Sequence, residues 1–168
     1  YRFLNRVWRL VYEFHAKYPE VPAAFEIKTE ADKSLNYMLH TAIKKVSEDV
    51  GGRFSFNTAI SSIMELVNEM YRYKEISNVN TGLLADEEEK LVLIIKDLIL
   101  ILSPFTPHIC EEMWHDIGQN ESVAVMSWPQ FDESALVKDE VEVIVQINGK
   151  LKDKLSVANN LDKAALEK

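Results

Sequence analysis

The chain has a single cysteine, Cys110, among 168 residues, so no disulfide framework can hold it together. That economy suits a reducing cytoplasm, which is the expected location. Long hydrophobic runs are also missing. The most apolar segment, Leu91 to Leu102, is interrupted by Lys96 and Asp97 and is shorter than the about 18 to 20 apolar residues a membrane span needs, so no membrane partner is expected. No basic, apolar, small-residue segment opens the chain, so no secretory signal is visible. Positive charge is in deficit, with a net charge of -8, which argues against a broad basic face for indiscriminate nucleic-acid binding but leaves room for a local basic stripe. No phosphate-binding glycine loop is present, since Gly51-Gly52 is a lone pair after a helical pattern, where a helix stop explains it.

What remains is helical periodicity. Leu91 to Trp114 organises it: the first half is apolar all round and must be covered on most sides, so other helices have to surround it. From Phe3 to Tyr18 the apolar residues Phe3, Leu4, Val7, Trp8, Leu10, Val11 and Phe14 recur at helical spacing, while Arg2, Arg6, Arg9 and Glu13 share another face. Pro19 and Pro22 end that helix. A second helix is predicted from Thr29, which with Asp32 has the form of a capping pair. Its apolar stripe is Leu35, Met38, Leu39, Ala42, Ile43, Val46 and Val50, and Gly51-Gly52 stop it. Lys33, Tyr37, His40 and Lys44 lie opposite, as a solvated face or a modest polyanion contact. The third helix follows Ser55 or Asn57 and runs to about Glu75, with Ile60, Ile63, Met64, Val67, Met70 and Tyr71 inward and Ser61, Glu65, Asn68 and Arg72 polar. Asp86 and Glu89 charge the start of the fourth helix favourably. Ser103-Pro104 breaks it, and Thr106-Pro107 starts a fifth, which buries Ile109, Met113 and Ile117 with Trp114 at the edge and closes at Gly118. The fold class is therefore mainly α, an antiparallel five-helix bundle over residues 1–126.

After Gly118 the period changes. Ser127-Trp128-Pro129 is an extended link, Val141, Val143, Val145 and Ile147 alternate as a strand does, and Asn148-Gly149 marks a turn before Leu151, Leu155 and Val157. A three-residue loop with a bulge at Gly149 would bring odd positions opposite odd positions. The tail from Asn160 begins another helix. Residues 127–168 are thus expected to form a link, a β-hairpin and the first helix turn of a truncated α+β appendage, and the whole chain reads as a piece of a larger protein.

Candidate chemistry is sparse. Glu112 and His115 have the Glu-x-x-His spacing of di-iron bundles, but His15, His40 and His108 are preceded at that spacing by Tyr12, Tyr37 and Phe105, so the second half-site is missing and no metal site is expected. Cys110 has no His or Asn partner placed by the sequence and is assigned to the core or its boundary. Trp8, Trp114 and Trp128 are assigned to packing. The basic residues Arg2, Arg6 and Arg9 on the first helix, Arg53 before the third, and Lys150, Lys152 and Lys154 alternating along the second strand are the candidate RNA contacts, chosen by charge geometry.

Four segments, RFLNRVWRLV (Arg2 to Val11), RFSFNTAISSIMELVNE (Arg53 to Glu69), LSPFTPHICEEMW (Leu102 to Trp114) and SWPQFDESALVKDEVEVIVQINGKLKDKL (Ser127 to Leu155), resemble the anticodon-binding helical domain of the class I aminoacyl-tRNA synthetases for branched aliphatic amino acids. The last is similar to the bacterial leucyl-tRNA synthetase family, where such a hairpin opens a small C-terminal domain; valyl and isoleucyl enzymes are the alternatives. The resemblance implies a tRNA-docking module, with leucine isoacceptors and the catalytic and other domains of the parent chain as partners. The family's His-Ile-Gly-His and Lys-Met-Ser-Lys-Ser signatures are absent from these 168 residues. The chain by itself is therefore expected to be a catalytically inert monomer without a cofactor, ATP and Mg being used by the parent ligase. A competing reading is a helical bundle that braces other domains without touching RNA.

Overall fold

The computed structural model describes residues 1–17, 25–79, 90–137, 140–147 and 150–158. Two compact units are present, Tyr1–Asp132 and Glu133–Lys168. The first is mainly helical: α1 (Arg2–Lys17), α2 (Glu30–Glu48), α3 (Phe56–Val79), α4 (Lys90–Leu102) and α5 (Pro107–Asp116). None of the described helices is long and apolar enough to cross a membrane.

The apolar α4 occupies the position its composition demands. It contacts α1, α2, α3 and α5, and Leu91, Val92, Ile94, Ile95, Leu98, Ile99, Ile101 and Leu102 are all buried. Leu93, Lys96, Asp97 and Leu100 are its half-covered positions. Around it, α1 contributes Val7, Leu10, Val11 and Phe14, and α2 contributes Leu35, Leu39, Ala42, Ile43 and Val46. Fully burying each such large side chain stabilises the fold by about 1.5 to 3 kcal/mol, so one core dominates the helical unit.

Two inward faces are turned relative to the sequence expectation. On α3 the buried set is Ala59, Ile63, Leu66, Val67, Met70 and Tyr73, while Met64 is exposed. On α5 it is Cys110, Met113 and Trp114, with Ile109 and Ile117 only partly covered. In both helices apolar residues were available on either side of the true stripe, and packing selects between them, chiefly against α2 for α3 and against α4 for α5.

The capping pair at α2 is present in full. Thr29 Oγ1 accepts from the Asp32 N–H at 3.1 Å, and Asp32 Oδ2 accepts from the Thr29 N–H at 2.9 Å. The other end of α2 departs from a glycine stop. Asp49–Arg53 continue as a π-helical turn, and the left-handed residue that ends it is Phe54, with φ 53° and ψ 33°. Its N–H donates to the Asp49 carbonyl, which also accepts from Ser55 N–H at 3.1 Å. A β-carbon in that conformation costs on the order of 1 kcal/mol. Gly118, with φ 80°, does close α5 as expected, and the Gly118 and Gln119 N–H groups cover the His115 and Trp114 carbonyls.

In the second unit β1 (Glu140–Ile147) runs antiparallel to β2 (Lys150–Ala158). Val141, Val143 and Val145 stand opposite Val157, Leu155 and Asp153, odd against odd, but Gln146 pairs with Leu151 and Ile147 with Lys150. The register steps between Val145 and Gln146, beside Lys152, and not through a three-residue loop. The Gly149 bulge, the prolines at 19 and 22, the helix start at Asp86 and Glu89, and the tail from Asn160 lie outside the described residues.

Candidate nucleic-acid interface

On α1 the side away from the core carries Arg2, Asn5, Arg9 and Tyr12, all exposed, and Tyr1, just before the helix, is exposed too. Arg2 and Arg9 are seven residues apart, two turns, which places them in line about 10 Å apart along the axis. Among the described residues neither has a hydrogen-bond or ion-pair partner. Glu13, four residues after Arg9 on the same stripe, is bound by Lys74 Nζ of α3 at 2.6 and 2.7 Å, so its charge is already paired. Among the described residues, an overall acidic chain thus carries a cationic stripe on α1 with two guanidinium groups that have no partner.

Arg6 is placed differently. Its guanidinium carbon lies 4.7 Å from the Tyr71 ring centroid, and Tyr71 Oη donates to the Arg6 carbonyl at 2.9 Å. The pair clasps α1 to α3, and the half-buried Arg6 side chain is partly spent on that contact. Next to the stripe, Trp8 packs on the core and Tyr12 stacks on Trp8, with centroids 5.8 Å apart and planes 23° from parallel.

The remaining candidates belong to other elements. Arg53, exposed at the end of the π-helical turn, has its guanidinium 3.4 Å from a Glu48 carboxylate oxygen. Lys150, Lys152 and Lys154 lie on β2 in the second unit. Lys150 stands opposite Ile147 and Lys154 opposite Ile144, partners an odd number of residues apart, so the register step interrupts the simple alternation of the three positions.

The polar side of α2, expected to be a solvated face or a polyanion contact, is largely occupied by the chain's own Trp-Pro link. Trp128 Nε1 donates to Ser47 Oγ at 2.7 Å, Ser47 Oγ donates to the Ile43 carbonyl at 2.6 Å, and Lys44 Nζ lies 5.2 Å from the Phe131 ring centroid. The Asp132 N–H donates to His40 Nδ1 at 3.0 Å, which requires a neutral imidazole at that nitrogen. Burial pushes the His40 pKa below its ordinary value, against the opposing pull of the Asp132 carboxylate. Lys33 pairs with Glu30 at 2.9 Å.

A polar centre that the sequence did not announce joins three helices. Asp32, fully buried at the start of α2, accepts from Lys90 Nζ of α4 at 2.7 Å, from Tyr73 Oη of α3 at 2.6 Å, and from the Lys28 and Thr29 N–H groups at 2.8 and 2.9 Å. Burial alone would raise its carboxyl pKa; the Lys90 and Tyr73 donors and the two backbone groups outweigh that and hold it at about 2. The capping pattern located Asp32, but its long-range partners left no local sequence signal.

On α5, His108, Glu112 and His115 are exposed, while Glu111 accepts from Ser122 Oγ and, at 2.7 Å, from the Val123 N–H. Glu111 therefore fastens the segment after α5. Cys110 is buried, and that burial pushes its thiol up to about 11, with the Thr106 hydroxyl 3.6 Å away. It is a neutral core thiol at physiological pH.

Comparison with known proteins places this geometry. The family model for the anticodon-binding domain of tRNA ligase matches residues 32–167. The leucine–tRNA ligase of Thermosipho melanesiensis is 41% identical over 169 aligned positions, covering 99% of this chain and 20% of that protein. Among solved structures, the ternary LeuRS–tRNA–LeuAMS complex of Agrobacterium radiobacter K84 superposes with a TM-score of 0.77 at 32% identity, covering 99% of this chain and 20% of that one. The chain spans about a fifth of the length of these relatives. A mainly helical unit with this sequence and this match belongs to the anticodon-binding domain family of tRNA ligases.

Proposed function

We propose that the chain is the tRNA-docking module of a leucine–tRNA ligase and that α1 provides its principal contact. The observation that carries this reading is the pair Arg2 and Arg9: two guanidinium groups on an exposed face with no partner among the described residues, with Glu13 of the same stripe already paired to Lys74, in a chain whose net charge is -8. Guanidinium groups suit phosphate oxygens because they offer several N–H donors in a fixed plane. Arg6, Arg53 and the β2 lysines Lys150, Lys152 and Lys154 are secondary contacts. Residues 127–168 supply the link and the opening hairpin of a C-terminal domain, and the ATP, Mg and leucine chemistry is carried by the rest of the ligase in the cytoplasm.

The module has no bond to break. Its binding energy is released far from the reacting ends and is used to orient the tRNA acceptor end, so losing it lowers the transfer rate as well as affinity. Titration of the chain with leucine-accepting tRNA tests the reading. Arg2→Glu with Arg9→Glu should abolish binding at low salt while helical circular dichroism is unchanged. Undiminished binding by that variant would move the contact elsewhere, and no binding by the parent chain at low salt would favour a bundle that only braces other domains.

A further inference from the structure

The α1 face is not only cationic. Trp8 and Tyr12 are four residues apart on α1, so they form an aromatic line next to the line of Arg2 and Arg9, and Tyr1 stands just before the helix begins. Tyr12 remains 55% exposed although one face of its ring rests on Trp8, so its other face is open to solvent. Trp8 in turn rests on the core, which fixes the height and tilt of the ring above it.

From this we infer that Tyr12, backed by Trp8, is a stacking platform for an unpaired base of the RNA, with Arg2 and Arg9 holding the flanking phosphates. The inference rests on the docking reading above and sharpens it: the RNA segment against α1 contains at least one nucleotide free of its helix stack, from a loop, a bulge or a strand end. Charge decides against an apolar protein occupant. An apolar partner would leave two guanidinium groups buried and unpaired, whereas a single-stranded RNA supplies a ring face and phosphates in the same span. The aromatic side chain adds affinity without neutralising a phosphate, so its contribution is independent of salt, in contrast to that of the arginines.

The test uses the 168-residue chain with three probes: a leucine-accepting tRNA transcript, single-stranded oligouridylate, and a fully paired RNA duplex. Tyr12→Leu should weaken tRNA and oligouridylate binding by on the order of tenfold, leave duplex binding unchanged, and leave the slope of log K against log salt unchanged. Tyr12→Phe keeps the ring and should bind as the parent does. Unaltered tRNA binding by Tyr12→Leu, together with a loss in Arg2→Gln/Arg9→Gln, would overturn the stacking platform and leave docking intact. No loss in the arginine variant would instead remove the docking reading itself. An equal loss on the duplex would overturn the unpaired base, and a dimer in sedimentation that Tyr12→Leu dissociates would assign the face to a second copy of the chain.

Discussion

Replacing Asp32 by Asn keeps the shape of the side chain and removes only its charge, which makes it a direct probe of the three-helix junction. The carboxylate accepts from Lys90, Tyr73, Lys28 and Thr29, and its ion-pair partner Lys90 is only 5% exposed. The substitution takes this carboxylate away from that buried ammonium, and the expected cost is about 3 to 5 kcal/mol, a large share of the about 5 to 15 kcal/mol that holds a domain folded. Lys90→Met should cost less, about 1 to 3 kcal/mol, because Asp32 keeps three donors. The double variant should cost clearly less than the sum, since each single change already removes the same ion pair. Urea unfolding at neutral pH reads all three, with the Asp32→Asn midpoint falling by more than about 1 M. The pH dependence follows the same logic. The folded-state pKa of about 2 lies below the ordinary 3.8, so ionisation favours the fold. The parent chain should keep about 2 kcal/mol from this group above pH 4 and lose it between about pH 4 and pH 2, a loss absent in Asp32→Asn. A cost below about 1 kcal/mol for Asp32→Asn, or strict additivity with Lys90→Met, would refute the junction as a coupled charge pair.

Three further outcomes are expected. Phe54→Gly should raise stability by about 1 kcal/mol in the same unfolding assay, because the left-handed backbone at Phe54 no longer carries a β-carbon and the ring it removes is 71% exposed. Cys110 should resist iodoacetamide in the folded chain at pH 7 and label promptly in denaturant, as the pKa of about 11 and full burial require; rapid native labelling, read by mass spectrometry, would contradict it. Burial pushes the Asp97 carboxyl pKa up, so its ionisation opposes folding; Asp97→Asn should raise the unfolding midpoint at neutral pH, and the gain should vanish below the ordinary carboxylate pKa of 3.8.

The features that the sequence made legible are those with a local signature. Apolar recurrence located α1, α2, α4 and α5 within a few residues, Thr29 with Asp32 announced its capping box, Pro107 stood at a helix start, and Gly118 at a helix end. Where two apolar stripes competed on one helix, the pattern could not choose. Met64 and Ile109 were as good candidates for burial as Leu66 and Cys110 until the neighbouring helices were in place. The Gly51-Gly52 stop failed for a related reason, because the π-helical turn carries the chain past both glycines and reverses it at Phe54. Long-range polar pairs were invisible. Tyr73 and Lys90 lie 41 and 58 residues from Asp32, and Trp128 lies 81 from Ser47. For the candidate interface, charge spacing found the arginine stripe, but only the packed structure separates Arg6, held over Tyr71, from Arg2 and Arg9, which have no partner among the described residues.

If α1 meets tRNA through phosphates held by Arg2 and Arg9, the salt dependence of binding reads that contact most directly. Association constants for leucine-accepting tRNA, taken across a salt series for the parent chain and for Arg2→Gln/Arg9→Gln, give two slopes of log K against log salt. Loss of two phosphate contacts should make the variant's slope shallower by roughly 1.4 to 1.8 and weaken its binding most at low salt. Identical slopes for the two proteins would mean that neither guanidinium neutralises a phosphate, and the docking face would have to be sought elsewhere on the chain.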